Sequence, residues 1–155
     1  MNTSVQIEIL PFKPENQEAV KSLILAGLGE HWGFIDPTKN PDLDDIAKSY
    51  RDDVFLVAWE KDKIIGTGAL IQRTSETAEI VRMSVRKEYR RMGIGRQLLS
   101  NLIEKASRLG FNQIILETTE TWQDVVKFYL NFGFQITHRQ NGNIYFSLNT
   151  QPSPR

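Results

Sequence analysis

IVRMSVRKEYRRMGIGRQLL, residues 80 to 99, changes its period halfway along. Its first residues continue the run Ala78 to Val85 (AEIVRMSV), which reads as a strand. From Ile94 the apolar residues are Ile94, Leu98, Leu99, Leu102, Ile103, Ala106 and Leu109, a helical spacing that Gly110 ends. A short apolar strand over Gln113–Thr119 follows. Strand, helix and strand in this order form a crossover, which usually joins parallel strands. Between the first strand and the helix lies Arg90-Arg91-Met92-Gly93-Ile94-Gly95.

That loop has the chemistry of an anion holder. The N–H groups of a first helical turn have no acceptor inside the helix, and the macrodipole adds partial positive charge there. Glycines let a ligand reach the backbone with no Cβ in the way. Arg82, Arg86, Lys87, Arg90, Arg91 and Arg96 cluster around it, with Glu88 the only acid among them. A P-loop is excluded, because Arg96 follows Gly95 where Lys-Ser or Lys-Thr is required. The dinucleotide fingerprint lacks its third glycine, since Leu98 stands there. The competing reading is a plain helix start, with glycines for tight packing and solvated arginines.

Working outward, Val5 to Leu10 alternates and stops at Pro11, as a strand does. Pro14 opens a helix carrying Ala19, Leu23, Ile24 and Leu28. GLGEHWGFIDPTKNPDLDD then reads as a long loop, and a short helix runs from Pro41-Asp42 to about Tyr50. Val54 to Trp59 and Ile64 to Arg73 flank the Lys61-Asp62-Lys63 turn as a hairpin, and with Ala78 to Val85 they make an antiparallel meander. A second long helix spans about Trp122 to Asn131 before Gly133. Phe134 to Thr137 and Ile144 to Leu148 close as a hairpin through Asn141-Gly142. The tail TQPSPR reads as loose. The order is β-α-α-β-β-β-α-β-α-β-β: an α/β (α+β) chain with a mixed, mainly antiparallel central sheet flanked by helices.

The chain has 155 residues and is read as one domain. Lysine and arginine total 19 and aspartate and glutamate 19, so no basic excess favours nucleic acid or a membrane surface. There is no cysteine, which excludes disulfides, thiolate nucleophiles and zinc–thiolate sites. His31 and His138 are the only histidines, no pair has metal spacing, and no metal is expected. No apolar run reaches the roughly 20 residues of a membrane span, and MNTSVQIEIL lacks signal-peptide character. A cytoplasmic protein is the simplest expectation.

Arg90 to Gly95 resembles the [QR]-x-x-G-x-[GA] signature of the GCN5-related N-acetyltransferase (GNAT) superfamily. Ile80 to Leu99 resembles that family's strand–loop–helix segment throughout. Phe128-Tyr129-Leu130-Asn131-Phe132-Gly133-Phe134 resembles its later FY-x-x-x-GF motif. The resemblance covers roughly Val54 to Phe146, and the element order fits the family fold. It implies an N-acetyltransferase that carries the acetyl group of acetyl-CoA to a primary amine of a small molecule or protein. The alternative is a non-catalytic acyl-CoA sensor of the same fold.

By the resemblance, the amides of Arg91, Met92, Gly93, Ile94, Gly95 and Arg96, with Arg90 beside them, hold the cofactor's pyrophosphate. Met83, Ser84 and Val85 pair with its pantetheine arm, and a bulge near Ser84 would open that strand. Tyr129 matches the family tyrosine that protonates the leaving thiol; alternatively its ring is core packing. Glu79, eleven residues before Arg90, and Glu117 match positions that carry a general base in some relatives. Either glutamate is alternatively a solvated strand carboxylate, with ordered water as base. Trp122 replaces the asparagine that many relatives carry seven residues before the tyrosine, and Thr121 reads as the helix cap. Glu30, His31, Trp32, Phe34 and Asp36 would line the acceptor entrance and suit a cationic amine; alternatively Trp32 and Phe34 plug the loop onto the core. The last strands of the fold often support a homodimer.

Overall fold

The computed structural model describes residues 6–33 and 39–150. The elements are β1 (Glu8–Pro11), α1 (Gln17–Trp32), α2 (Ile46–Ser49), β2 (Val54–Glu60), β3 (Lys63–Gln72), β4 (Thr77–Val85), α3 (Ile94–Arg108), β5 (Gln113–Thr119), α4 (Gln123–Phe132), β6 (Gln135–Gln140) and β7 (Asn143–Asn149). Short 3-10 turns precede α1, α2 and α3. The seven strands run β1-β2-β3-β4-β5-β7-β6 across one mixed sheet. As expected, β5 lies parallel to β4, with Thr77↔Gln113 to Glu79↔Ile115 in register, while its other neighbour β7 is antiparallel.

The chain divides into two compact units, Met1–Ala69 with Arg82–Leu102, and Leu70–Val81 with Ile103–Arg155. In the first unit β1 pairs antiparallel with β2, and Pro11 ends the edge strand, where a missing donor is tolerated. Val20, Leu23 and Ile24 of α1 are buried, as are Leu56 and Val57 of β2 and Ile94, Leu98 and Leu99 of α3. In the second unit one face of the strands, Ile114, Leu116, Ile144 and Phe146, is buried. Tyr129 from α4 joins this core, with ring centroids 5.7 Å from both Phe134 and Phe146.

Several boundaries differ from the sequence reading. The stretch read as a loop from Gly27 begins as helix: α1 continues to Trp32 and stops at Gly33 (φ 77°) with the Gly33 N–H donating to Gly29 O. The glycine serves a close approach instead: a Cβ at Gly27 would stand 2.9 Å from Ser84 Oγ. The expected helix from Pro41 breaks into a 3-10 turn (Pro41–Asp44) and α2, because Asp45 is non-helical there (φ −147°, ψ 87°) and its carboxylate accepts from the Lys48 N–H. The α4 cap is Trp122 rather than Thr121, and it makes no side-chain cap bond. Leu109, counted in the apolar stripe, lies beyond the end of α3 and is 55% exposed.

The closing hairpin follows from turn chemistry. Asn141 (φ 53°) and Gly142 (φ 80°) are both left-handed, as a two-residue primed turn requires. The β6–β7 register shifts between Ile136 and His138, which leaves Thr137 as the extra residue of a bulge. Val5, Phe34, Asp36 and the tail 151–155 lie outside the described residues, as does the side chain of His31.

Candidate active site

The first unit carries every residue expected at the cofactor. Arg91 (φ 66°) and Gly93 (φ 81°) are left-handed on either side of Met92. Left-handed residues curl the chain so that successive N–H groups face one side, the geometry of an anion concavity. The chain then enters α3 at Ile94, with the Gln97 N–H donating to Gly93 O at 3.0 Å. A Cβ built on Gly93 meets nothing within 4 Å, so the space over that backbone is open. Ile94 turns inward and is buried, whereas Arg91, Met92 and Arg96 are exposed.

Several arginines around the loop are already engaged. Arg90 pairs with Glu30 of α1 at 2.7 Å, and its Nε donates to Val85 O. Arg86 Nε donates to Ile64 O at 2.6 Å, and its backbone N–H donates to Ile65 O. Arg82 grips Asp42. These side chains fix the loop's surroundings, and the backbone and the exposed Arg91 remain at its surface.

The expected distortion of β4 falls at Arg82, two residues before Ser84. Arg82 sits at φ 56° inside the strand, the kind of local disruption a bulge carries. Met83 and Ser84 are packed hard against glycines. Beyond the Gly27 approach, a Cβ at Gly68 would stand 2.7 Å from Met83 Sδ, and one at Gly66 3.2 Å from Ser84 O.

The second unit carries the three residues expected to move protons. Tyr129 is buried, and its ring stands edge-on to Phe128 at 5.2 Å and to Phe134. Burial pushes its phenol above the ordinary value of 10, so it stays protonated through neutral pH. Glu79 faces the side of the sheet away from that core, and Arg73 Nε holds its carboxylate at 2.6 Å. Glu117 is exposed on the same side of β5 and stands directly opposite Tyr145 of β7.

Sequence reasoning missed Tyr145. Its hydrogen bond to Glu117 raises its pKa, with burial and the charges of Glu117 and Glu79 adding to the shift. Its ring stacks on His138, with centroids 4.3 Å apart and planes 6° from parallel. The Asn141-Gly142 turn signals a β6–β7 pair, but nothing local in the sequence puts Tyr145 opposite Glu117. At the expected acceptor entrance, Glu30 is tied to Arg90, and Trp32 is 51% exposed rather than plugged into the core.

These features define a class: a mixed-sheet protein whose parallel crossover begins with a glycine-bearing loop at a helix start. The comparisons with known proteins give the family. Residues 21–134 match the family model described as Acetyltransferase (GNAT) family, and the chain belongs to that family. It is 35% identical over 83 residues to the uncharacterized N-acetyltransferase YsnE of Bacillus subtilis (strain 168), covering 52% of this chain and 55% of that one. It is 31% identical over 103 residues to probable N-acetyltransferase 14 of Xenopus tropicalis, covering 64% and 50%. The chain therefore spans about half the length of these curated relatives. A GNAT-family acetyltransferase from Staphylococcus aureus Mu50 superposes with a TM-score of 0.85 at 26% identity, over 93% of this chain and 99% of that one. The PaiA N-acetyltransferase of Thermoplasma acidophilum, solved in complex with coenzyme A, shares the fold (TM-score 0.82, 19% identity, 94% and 99% covered).

Proposed function

We propose that this protein is an acetyl-CoA-dependent N-acetyltransferase, acting as one catalytic domain in the cytoplasm on a primary amine of a small molecule or protein. The observation that carries this reading is the left-handed loop at Arg91 and Gly93, which runs into the start of α3 with open space over Gly93. Backbone amides there suit a pyrophosphate, whose charge the helix start favours. The coenzyme A held by the Thermoplasma acidophilum protein fits the same cofactor.

In the proposed reaction the pyrophosphate rests on the amides of Arg91 to Arg96, and the pantetheine arm follows Met83 to Val85. A neutral amine attacks the thioester carbonyl, the tetrahedral intermediate collapses, and coenzyme A leaves as the thiol. Tyr129 donates the proton to the departing sulfur. Burial raises its pKa, so the phenol stays protonated at neutral pH but is a weaker acid toward the sulfur, and the proton it gives is replaced from solvent. Glu117 is the less constrained of the two bases; it lies on the sheet face opposite the Tyr129 ring, so it takes the amine's proton through water. It is exposed, and a carboxylate has more acceptor sites than one phenol occupies. Glu79 is held by Arg73. A thiol-release assay with acetyl-CoA and a panel of amines tests the reading. Tight acetyl-CoA binding with no amine-dependent thiol would sink it.

One observation favours a second reading, a non-catalytic acyl-CoA sensor. Tyr129 lies in an aromatic cluster with Phe128, Phe134 and Phe146, so its ring has a packing role whatever its hydroxyl does.

A further inference from the structure

We infer that Arg82 is a positioning residue for the cofactor strand: its ion pair with Asp42 holds the left-handed turn that sets the backbone of Met83, Ser84 and Val85. The inference rests on the acetyl-CoA reading above for its function, and on the geometry of Arg82 for its structure.

A left-handed residue other than glycine costs free energy, because Cβ crowds the following carbonyl. Such a residue persists only where its surroundings over-determine it. Arg82 is held from both ends. Its backbone carbonyl accepts from Thr67 Oγ1 at 2.7 Å. Its guanidinium meets both carboxylate oxygens of Asp42, with Nε at 3.0 Å and a terminal nitrogen at 2.6 Å, and reaches Asn40 Oδ1 at 3.1 Å. Fork-to-fork pairing of this kind fixes direction as well as distance. Tyr50 completes the clamp by donating its hydroxyl to Asp42 Oδ2 at 2.6 Å.

The cluster is mostly out of water, with the Arg82 and Asp42 side chains 19% and 28% exposed. Burial alone would raise the Asp42 pKa, but hydrogen bonds from Arg82 and Tyr50 and the Arg82 charge outweigh it and hold the carboxyl below its usual range. Burial and the Asp42 carboxylate push the Tyr50 phenol up to about 12.

The strand beyond Arg82 has no slack. Ser84 is hemmed by Gly27 and Gly66, and Met83 lies over Gly68. A relaxed, extended Arg82 would redirect Met83 and Ser84 into those glycines. The side chain that sequence spacing assigns to a phosphate cluster thus acts on the cofactor through the strand.

Two substitutions separate this role from simple anchoring of the Pro41–Ser49 segment. Arg82→Ala and Arg82→Gly both delete the clamp, but glycine adopts a positive φ without steric cost. Acetyl-CoA affinity by calorimetry is expected to fall about tenfold in Arg82→Ala, the size of the strain the clamp opposes, and to recover in Arg82→Gly. Both variants lose thermal stability, and Asp42→Asn weakens binding to a lesser degree. Equal loss in Ala and Gly, or wild-type affinity in Ala, would overturn the inference. Backbone amide signals of Met83 to Val85 provide a ligand-free arm: they move in Ala and return in Gly. If wild-type protein binds no acetyl-CoA, the cofactor reading fails and these signals alone decide, with unmoved signals in Ala counting against the clamp.

Discussion

The loop after β4 and the polar face of β5 and β7 achieve their geometry in opposite ways. The loop is a backbone device. Its shape comes from two left-handed residues and a helix start, and the side chains near it are braces. The face carrying Glu79, Glu117 and Tyr145 is a side-chain device. It depends on which residues stand opposite one another across three strands. Backbone devices tolerate most side-chain changes and fail when Cβ or φ is wrong. Side-chain devices keep binding and lose chemistry when one functional group goes.

The sharpest way to break the loop is Gly93→Val. It puts a β-branched side chain at φ 81° and into the open space over the backbone, so acetyl-CoA affinity is expected to fall by about a hundredfold or more. Calorimetry reads this directly, and retained affinity would place the pyrophosphate elsewhere. In the core of the second unit, Tyr129→Phe keeps the ring and removes the proton. It should cut kcat by about a hundredfold while leaving acetyl-CoA affinity within a factor of about two. An unchanged kcat would reduce Tyr129 to core packing and leave the leaving thiol to be protonated by another group.

Glu117→Gln is expected to lower kcat by about tenfold or more, and Glu79→Gln by less, because Arg73 already holds Glu79. The reverse order would make Glu79 the base. A further effect is on stability rather than on turnover. Asp42 has a depressed pKa in the folded protein, so its contribution is present above the unfolded value and is lost as pH falls through the folded one. Asp42→Asn should lower unfolding free energy at neutral pH by about 2 kcal/mol and flatten its decline in acid, measured by denaturant titration.

The two regions also differ in how far they could be read from sequence. Loop, helix start and crossover were legible because each is local: Gly93, the period from Ile94 to Ala106 and the short strand after Gly110 lie within one continuous segment. The Asn141-Gly142 turn was legible for the same reason. Arg82 and Asp42 are forty residues apart, and nothing in either neighbourhood announces the other. Tyr145 stands opposite Glu117 only because β7 inserts between β5 and β6, a register that hydrophobic alternation leaves open. The loop reading from Gly27 failed for an instructive reason. A glycine inside a helix signals an end or a close approach, and only the packing against Ser84 distinguishes them.

A backbone amide titration with acetyl-CoA tests the proposed cofactor loop most directly. If the pyrophosphate sits on the start of α3, the largest shifts fall on Arg91 to Arg96, with smaller ones along Met83 to Val85. Saturable binding that leaves the amides of Met92 to Gly95 unmoved would contradict it.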